Sequence, residues 1–123
     1  MQLFSIALGG ALGAVSRYCL GNFLSRLIGG SLPYGTFVIN VVGCFFMGLI
    51  MTMIIERGML SAAWRLFLCV GFLGGFTTFS SFGYEALMLM QEGKITATLA
   101  YVGGSIMLGA AAALVGVTLA KAI

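Results

Sequence analysis

Long apolar segments alternate with short polar breaks along the whole chain. Four runs with almost no charge cover residues 3–24, 34–55, 66–84 and 95–120, and only Arg17 interrupts the first of them. Each run is close to or longer than the roughly 20 residues that an α-helix needs to cross a hydrocarbon layer about 30 Å thick. The breaks between the runs are too short to hold a domain. The pattern predicts an all-α membrane protein, with residues 1–123 forming a single four-helix transmembrane domain.

Composition supports a lipid environment and argues against an enzyme. Of the 123 residues, 61% are hydrophobic and 7% are charged, and the mean hydropathy is +1.15. A water-soluble domain of this size cannot bury so many apolar side chains. The chain has no histidine or aspartate, and its only acidic residues are Glu56, Glu85 and Glu92. A Ser-His-Asp triad and a histidine-based metal site are therefore excluded.

The charges between the runs give almost no signal for orientation. Four spans place both chain ends on one side of the membrane, where Arg57, Arg65 and Lys121 lie, while Arg26 and Lys94 lie on the other side. Cytoplasmic loops normally carry an excess of Lys and Arg, and here the bias is slight. A chain that inserts both ways can pair head to tail about a two-fold axis in the membrane plane. An antiparallel dual-topology homodimer is our hypothesis, and a fixed but weakly signalled orientation is the alternative.

Small residues recur at a spacing of four along the predicted spans, which favours close helix packing in lipid. The pairs are Gly9 with Gly13, Gly10 with Ala14, Ser105 with Gly109, and Ala112 with Gly116. The three cysteines, Cys19, Cys44 and Cys69, lie inside apolar runs without a metal-binding spacing, so we interpret them as small buried hydrophobic residues.

The third run contains a polar, glycine-rich stretch, GFLGGFTTFSSFGYE, at residues 71–85. Gly71, Gly74 and Gly75 each weaken a helix by roughly 1 kcal/mol relative to alanine. The neighbouring Thr and Ser side chains can bond to backbone groups in place of the helical ladder. We therefore predict that the third helix is broken near residue 75, close to the centre of the membrane. Irregular backbone at that depth is tolerated only where it is buried in protein or lines a wet cavity.

A break of this kind has two electrostatic consequences. Carbonyls at the end of the first half-helix attract cations, and amides at the start of the second attract anions. In a two-fold dimer the carbonyls of two breaks can form a cage for one small cation, although a kink filled by water is an alternative. After the break, Phe79 and Phe82 share a helix face and can present their positive ring edges to an anion. The ordinary alternative for such a phenylalanine pair is core packing.

Other polar side chains within the runs each allow two interpretations. Asn40 either lines a pore or clamps a neighbouring backbone carbonyl, and Arg17 is either a snorkelling anchor or a cation at a vestibule. Tyr101 and Ser105 lie four residues apart on one face, as part of a polar track or of a helix interface. Glu85, at the end of the third run, is expected to be interfacial and solvated rather than a proton carrier.

Three motifs resemble the Fluc (CrcB-type) fluoride channel family: GGALGAVSRY at 9–18, GTFVINVVGCFFMG at 35–48 and GFLGGFTTFSSF at 71–82. The resemblance covers essentially the whole chain. It implies an antiparallel dual-topology homodimer in the inner (plasma) membrane that exports fluoride passively through two pathways, each lined by both subunits. It also implies a central structural sodium held by backbone carbonyls of Gly74 and Thr77, and vestibule positions for Arg17 and Glu85. The expected pathway residues are Asn40, Thr78, Phe79, Ser81, Phe82, Tyr101 and Ser105.

Two positions depart from the pattern of the family. Ser81 stands where relatives often have threonine, which keeps a hydroxyl, and Gly109 stands where some relatives continue the polar track with serine, so the far end of the track is open. The expected partners are fluoride, a second copy of the chain and the lipid bilayer, without nucleic acid. The main alternative function is a small four-helix proton-coupled drug exporter, for which Glu85 would be the only available membrane carboxylate.

Overall fold

The computed structural model describes residues 1–123 and consists of helices joined by short turns. Four helices are long and apolar enough to cross a membrane, which confirms the predicted fold class. Three of these spans are single helices, and the third span, Ala62–Gln91, is composite. The elements are α1 (Gln2–Ile28), α2 (Tyr34–Ile55), α3 (Ala62–Arg65), a π-helical segment (Leu66–Leu73), α4 (Gly74–Phe76), α5 (Phe79–Gln91) and α6 (Ile95–Ala122).

The third span is longer than its uncharged run indicates. It continues past Glu85 to Gln91, because the apolar residues 86–90 prolong the helix. The span is followed by Gly93, whose φ of 74° suits glycine in the turn into α6. The expectation that Glu85 marks the end of its span is therefore wrong, and this residue lies within the helix.

Contacts between the second polar break and the C-terminal end of α6 show which ends of the spans lie together. The Arg57 guanidinium donates hydrogen bonds to the carbonyls of Ala120 and Lys121, both at 3.1 Å. The Lys121 ammonium lies 3.2 Å from the Glu56 carboxylate. The turn between the second and third spans therefore meets the C-terminal end of α6, as four alternating spans require. The guanidinium also satisfies carbonyls that the end of a helix leaves without donors.

Glycine packs α1 against the first half of the third span, and the two run parallel. A Cβ atom on Gly9 would collide with the Phe67 carbonyl, and one on Gly75 would lie 2.6 Å from the Gly10 carbonyl. Gly71 in turn approaches the backbone of α1 so closely that a side chain has no room. The backbones of these helices are in direct contact, which only glycine permits. The predicted role of the small-residue spacing is confirmed here.

The predicted break in the third span is present, but its position and cause differ from the prediction. Gly71, Gly74 and Gly75 are all helical, whereas Thr77 and Thr78 have extended backbones with ψ of 157° and 119°. The glycines therefore serve the crossing with α1. At Thr77 the N–H and the hydroxyl both still donate to the Leu73 carbonyl, at 3.0 and 2.9 Å, so the helical ladder ends there. The break begins at Thr78, whose N–H donates to the side chain of Asn40 on α2.

Helices α2 and α6 also run parallel and in close contact. Gly48 packs against the backbone of Ala113, and Gly116 packs against the backbone of Phe45. One turn earlier, the Cys44 sulfur lies against Gly109. This contact keeps matching turns of α2 and α6 side by side along most of their length.

The interpretation of the cysteines as buried hydrophobic residues is correct for only one of them. Cys69 is buried in the π-helical segment, Cys44 is partly buried and Cys19 is exposed on α1. A helix that crosses lipid can turn an apolar residue outward without cost, because the surroundings of the protein are apolar too.

Candidate functional site

The broken backbone of the third span is held by one side chain of α2. The Asn40 amide nitrogen donates to the Thr78 carbonyl at 3.0 Å, and the Thr78 N–H donates to the Asn40 side-chain oxygen at 2.9 Å. The amide thus replaces both hydrogen-bond partners that a helix would have given Thr78. Of the two interpretations of Asn40, the clamp is the one that the structure shows directly, although Asn40 also borders a cavity.

Two carbonyls are released from the helical ladder at the same place. In a continuous helix the Thr78 N–H would bond to the Gly74 carbonyl, but it donates to Asn40. The extended backbone of Thr77 likewise turns its carbonyl out of the helix axis. Gly74 is exposed on the surface of the chain. The Gly74 carbonyl therefore belongs to a residue that the single chain leaves open, while Thr77 is partly buried.

The start of α5 is capped by Thr78. Its hydroxyl accepts a hydrogen bond from the Ser81 N–H at 3.2 Å and lies 3.4 Å from the Ser80 hydroxyl. This is an ordinary N-cap, in which a threonine oxygen satisfies one of the unpaired amides in the first turn. The positive end of the α5 dipole consequently lies at the break, beside hydroxyl groups.

A cavity of about 310 Å³, here called the inner cavity, opens beside the break. Five of the seven predicted pathway residues line it: Asn40, Thr78, Phe79, Phe82 and Ser105. The remaining wall includes Cys44 and the apolar side chains of Met47 and Ile106. The structure therefore brings together residues from α2, α5 and α6 that are far apart in the sequence.

A second cavity of about 480 Å³, here called the vestibule, lies on the other side of the break. Its lining includes Arg17, Ser81 and Glu85. Thr78 is the one residue that borders both cavities. The break in the third span is thus the point at which the vestibule and the inner cavity meet.

Glu85 is partly buried, lines the vestibule and is held by two hydroxyl groups. The Thr36 hydroxyl donates to one carboxylate oxygen at 2.8 Å, and the Tyr101 hydroxyl donates to the other at 2.8 Å. These bonds join α5 to both α2 and α6. Hydrogen bonds to an ionised group are the strong ones in proteins, so the carboxylate is a fixed connection among three spans.

Aromatic rings form a row that leads from the break toward this carboxylate. The ring centres of Phe79 and Phe82 are 5.8 Å apart, and those of Phe82 and Tyr101 are 5.2 Å apart. The two phenylalanines differ in their surroundings, because Phe79 is 85% exposed whereas Phe82 is partly buried. One end of the row therefore reaches the surface of the single chain.

Ser105 extends the α6 face beyond Tyr101, as their spacing predicts. Its hydroxyl oxygen is buried and has no hydrogen-bond partner within the chain. Ser105 itself borders the inner cavity. An unsatisfied hydroxyl in an apolar setting is costly, and such a group in a native fold usually indicates a missing water or ion.

Sequence reasoning missed Thr36 as a member of this site. It lies one helical turn before Asn40 and in the same motif, GTFVIN, so the spacing of four was an available signal. The signal was weak because a lone threonine near a helix start is common. Only the fold reveals that its hydroxyl meets Glu85, far away in the sequence.

Comparisons with known proteins identify relatives along the full length of the chain. Residues 4–117 match the family described as "CrcB-like protein, Camphor Resistance (CrcB)". The chain is 48% identical over 121 residues to a protein of Solibacter usitatus named "Fluoride-specific ion channel FluC", covering 98% of this chain and 99% of the relative. Proteins of the same name from Acidobacterium capsulatum and Rhizobium etli are 44% and 43% identical over 123 residues, covering all of this chain and 98% of each relative.

Proposed function

The chain belongs to the CrcB-like family, and on this premise we propose that it is a channel through which fluoride crosses the membrane passively. The observation that carries the proposal is the meeting of two cavities at a broken helix deep in the span. A protein that only spanned the bilayer would have no need of such a break. Fluoride is named from the relatives, and the geometry supports a small anion.

A small anion must exchange its water for protein donors along such a path. Moving a bare ion into a medium of low dielectric costs tens of kcal/mol by Born reasoning. The vestibule shortens the dry part of the path, because it brings water to Ser81 and Thr78. Beyond the break, the amide of Asn40 and the unpartnered hydroxyl of Ser105 supply hydrogen bonds. Donors spaced in this way allow an ion to enter and leave several weak sites.

Phe79 and Phe82 complete the narrow part of the path in this proposal. Both line the inner cavity, and the positive edge of each ring can face an anion without offering a group that binds it tightly. Tyr101 is held in place by its bond to Glu85, so its ring stays beside Phe82. The cation at the vestibule, Arg17, raises the local concentration of anions at the entrance.

The functional unit in this proposal is an antiparallel dual-topology homodimer with two pathways. The single chain leaves the inner cavity incomplete, since Phe79 lines the cavity yet is 85% exposed. A second copy packed on this face would complete the wall of each pathway. The nearly balanced numbers of basic residues on the two sides of the membrane allow both orientations.

The residues at the break fit a structural sodium ion on the dimer axis. The carbonyls of Gly74 and Thr77 have left the helical ladder and are neutral oxygen donors of the kind that bind alkali cations. A two-fold axis beside Gly74 would bring four such oxygens together, and a cation there would offset their mutual repulsion. In this arrangement the ion holds the two chains together, and the pathways lie to either side.

The family and the four spans are consistent with a multi-pass protein of the inner (plasma) membrane that exports fluoride from the cell.

The test of the proposed function is ion efflux from liposomes that contain only this protein. We expect rapid fluoride efflux that carries net charge, with little chloride efflux and no coupled proton movement. Electroneutral or proton-coupled transport would favour the drug-exporter alternative, and an absence of fluoride flux would refute the proposed function.

A further inference from the structure

Helices α2 and α6 carry two matching rows of side chains past the break. Because the helices run parallel, each turn of one faces the corresponding turn of the other. Thr36 and Tyr101 share Glu85, and one turn later Asn40 and Ser105 both line the inner cavity. These side chains are spaced four residues apart on each helix, so they follow one face.

At the next turn the polar row on α6 is interrupted, because the residue there is Gly109, which has no side chain. The opposite position on α2 is Cys44, which lines the inner cavity. A Cβ atom built on Gly109 would lie 3.3 Å from the Cys44 sulfur, closer than such atoms normally approach. The sulfur therefore occupies the space into which a side chain at position 109 would project.

From this geometry we propose that Cys44 is a pathway residue whose thiol supplies the next donor after Asn40 and Ser105 along the α2 and α6 rows. The inference deepens the proposed function and depends on it. An S–H group is a weak donor, which suits a site that an ion must leave easily. The neighbouring wall residues at this depth, Met47 and Ile106, are apolar. Without the thiol, an anion that leaves Asn40 and Ser105 would meet no side-chain donor at the next turn of these two helices.

The same geometry makes positions 44 and 109 exchangeable. The sulfur of Cys44 is the nearest neighbour that limits a side chain at Gly109, and no other atom is within 4 Å of the added Cβ. Replacing Cys44 with alanine removes that obstacle. A serine at position 109 then has room, and its hydroxyl would occupy the same part of the cavity from the opposite helix.

The experiment compares fluoride efflux from liposomes for four proteins: the parent chain, Cys44→Ala, Cys44→Ser, and the double variant Cys44→Ala with Gly109→Ser. We expect Cys44→Ala to lower the efflux rate about fivefold, which corresponds to the free energy of one weak hydrogen bond. Cys44→Ser should equal or exceed the parent, because a hydroxyl donates better than a thiol. The double variant should recover to within about twofold of the parent, since the donor has only changed helices.

A packing role for Cys44 predicts a different order, with Cys44→Ala at least as active as Cys44→Ser, because serine places a polar group among Met47 and Ile106. That order, or an efflux rate unchanged by Cys44→Ala, would overturn the proposal. So would a loss in Cys44→Ala that neither serine variant restores. If Cys44→Ala fails to fold, the comparison of Cys44→Ser with the parent decides the question, since a packing role predicts a loss there.

Cys69→Ala is the matched control, because Cys69 is buried in the π-helical segment and borders neither cavity. Its efflux rate per folded protein should equal that of the parent. Failure of this inference is distinguishable from failure of the proposed function. A parent protein that passes no fluoride refutes the function, whereas normal parent efflux with an unchanged Cys44→Ala refutes only the role of Cys44.

Discussion

The first half of the third span packs against α1 through glycine, whereas the second half, α5, meets α2 and α6 through hydroxyl, amide and carboxylate groups. In the first half, Gly9, Gly71 and Gly75 bring backbones into direct contact and leave no space between the helices. In the second half, polar groups are held 2.8–3.0 Å apart beside two cavities. One span thus provides a close-packed anchor on one side of the break and polar groups beside two cavities on the other.

This difference indicates how a chain of 123 residues can keep polar groups and cavities between transmembrane helices. Helices in a membrane gain little from the hydrophobic effect, so contact between small residues has to supply the packing energy. The close contact between the glycines of α1 and those of the third span supplies this packing energy for the first half of the third span. The second half can then keep unfilled volume and donors such as Ser105, which would be costly in a fold that lacked the anchor.

The largest expected effect comes from filling the glycine crossing. A Cβ on Gly13 would collide with the Phe72 carbonyl and lie 2.9 Å from the Phe76 nitrogen. Since backbone atoms cannot move aside, Gly13→Ala should destabilise the fold by about 1–3 kcal/mol or more, as overpacking does. We expect most of the variant to aggregate in detergent, as measured by size-exclusion chromatography after heating.

Gly103→Ala is the control for that experiment, because nothing lies within 4 Å of an added Cβ at this position of α6. It should be as stable as the parent or slightly more so, since alanine favours a helix by about 1 kcal/mol over glycine. If Gly13→Ala matched Gly103→Ala in stability, the role assigned to the crossing would be wrong.

The second effect concerns the clamp at the break. Asn40→Ala leaves the N–H and the carbonyl of Thr78 without their partners, and each unpaired buried group costs about 1–3 kcal/mol. We expect the break to lose its shape and fluoride efflux from liposomes to fall by at least about tenfold, the equivalent of 1.4 kcal/mol. Thr118→Val removes an exposed hydroxyl that bonds only within its own helix and should leave efflux unchanged. Equal efflux from the two variants would contradict the clamp.

The third effect compares phenylalanines on the two sides of the break. Phe82→Ile keeps an apolar side chain and removes the ring edge in the inner cavity, so fluoride efflux should fall several-fold. Phe72→Ile makes the same change before the break, where the ring stacks on Phe76 and borders neither the vestibule nor the inner cavity. It should change stability more than efflux per folded protein. Parallel losses of efflux in the two variants would show that the ring edge has no special role.

The smallest effect in this series is expected at the carboxylate. Glu85→Gln keeps one acceptor for Thr36 or Tyr101 but turns a donor toward the other hydroxyl. A channel should retain fluoride efflux at a rate reduced by a few-fold, whereas a proton-coupled exporter would lose transport altogether. Glu56→Gln, which breaks only an exposed ion pair with Lys121, is the control, and it should cost at most about 1 kcal/mol of stability.

Most of the helical spans were predictable, because an apolar run of about 20 residues matches the thickness of a bilayer. The existence of the break was predictable from the polar, glycine-rich stretch at residues 71–85. Most of the candidate pathway was also predictable from polar residues in apolar runs. The role of the glycines in the third run, Gly71, Gly74 and Gly75, was not, since a helix-weakening residue and a close-packing residue look identical in a sequence. The bonds of Glu85 to Thr36 and Tyr101 were equally hidden, because they join positions on three different spans.

The amino-acid sequence by itself determined that this chain has four membrane-spanning segments, with hydroxyl groups and aromatic rings near the middle of the third. These features follow from the local composition and from the spacing of apolar residues. Only the tertiary structure decided where the third span breaks and which groups meet there. The reason is physical: Thr78 leaves the helix because Asn40, on another span, offers its backbone both a donor and an acceptor. Such an exchange of partners depends on distance in space, which no local pattern records.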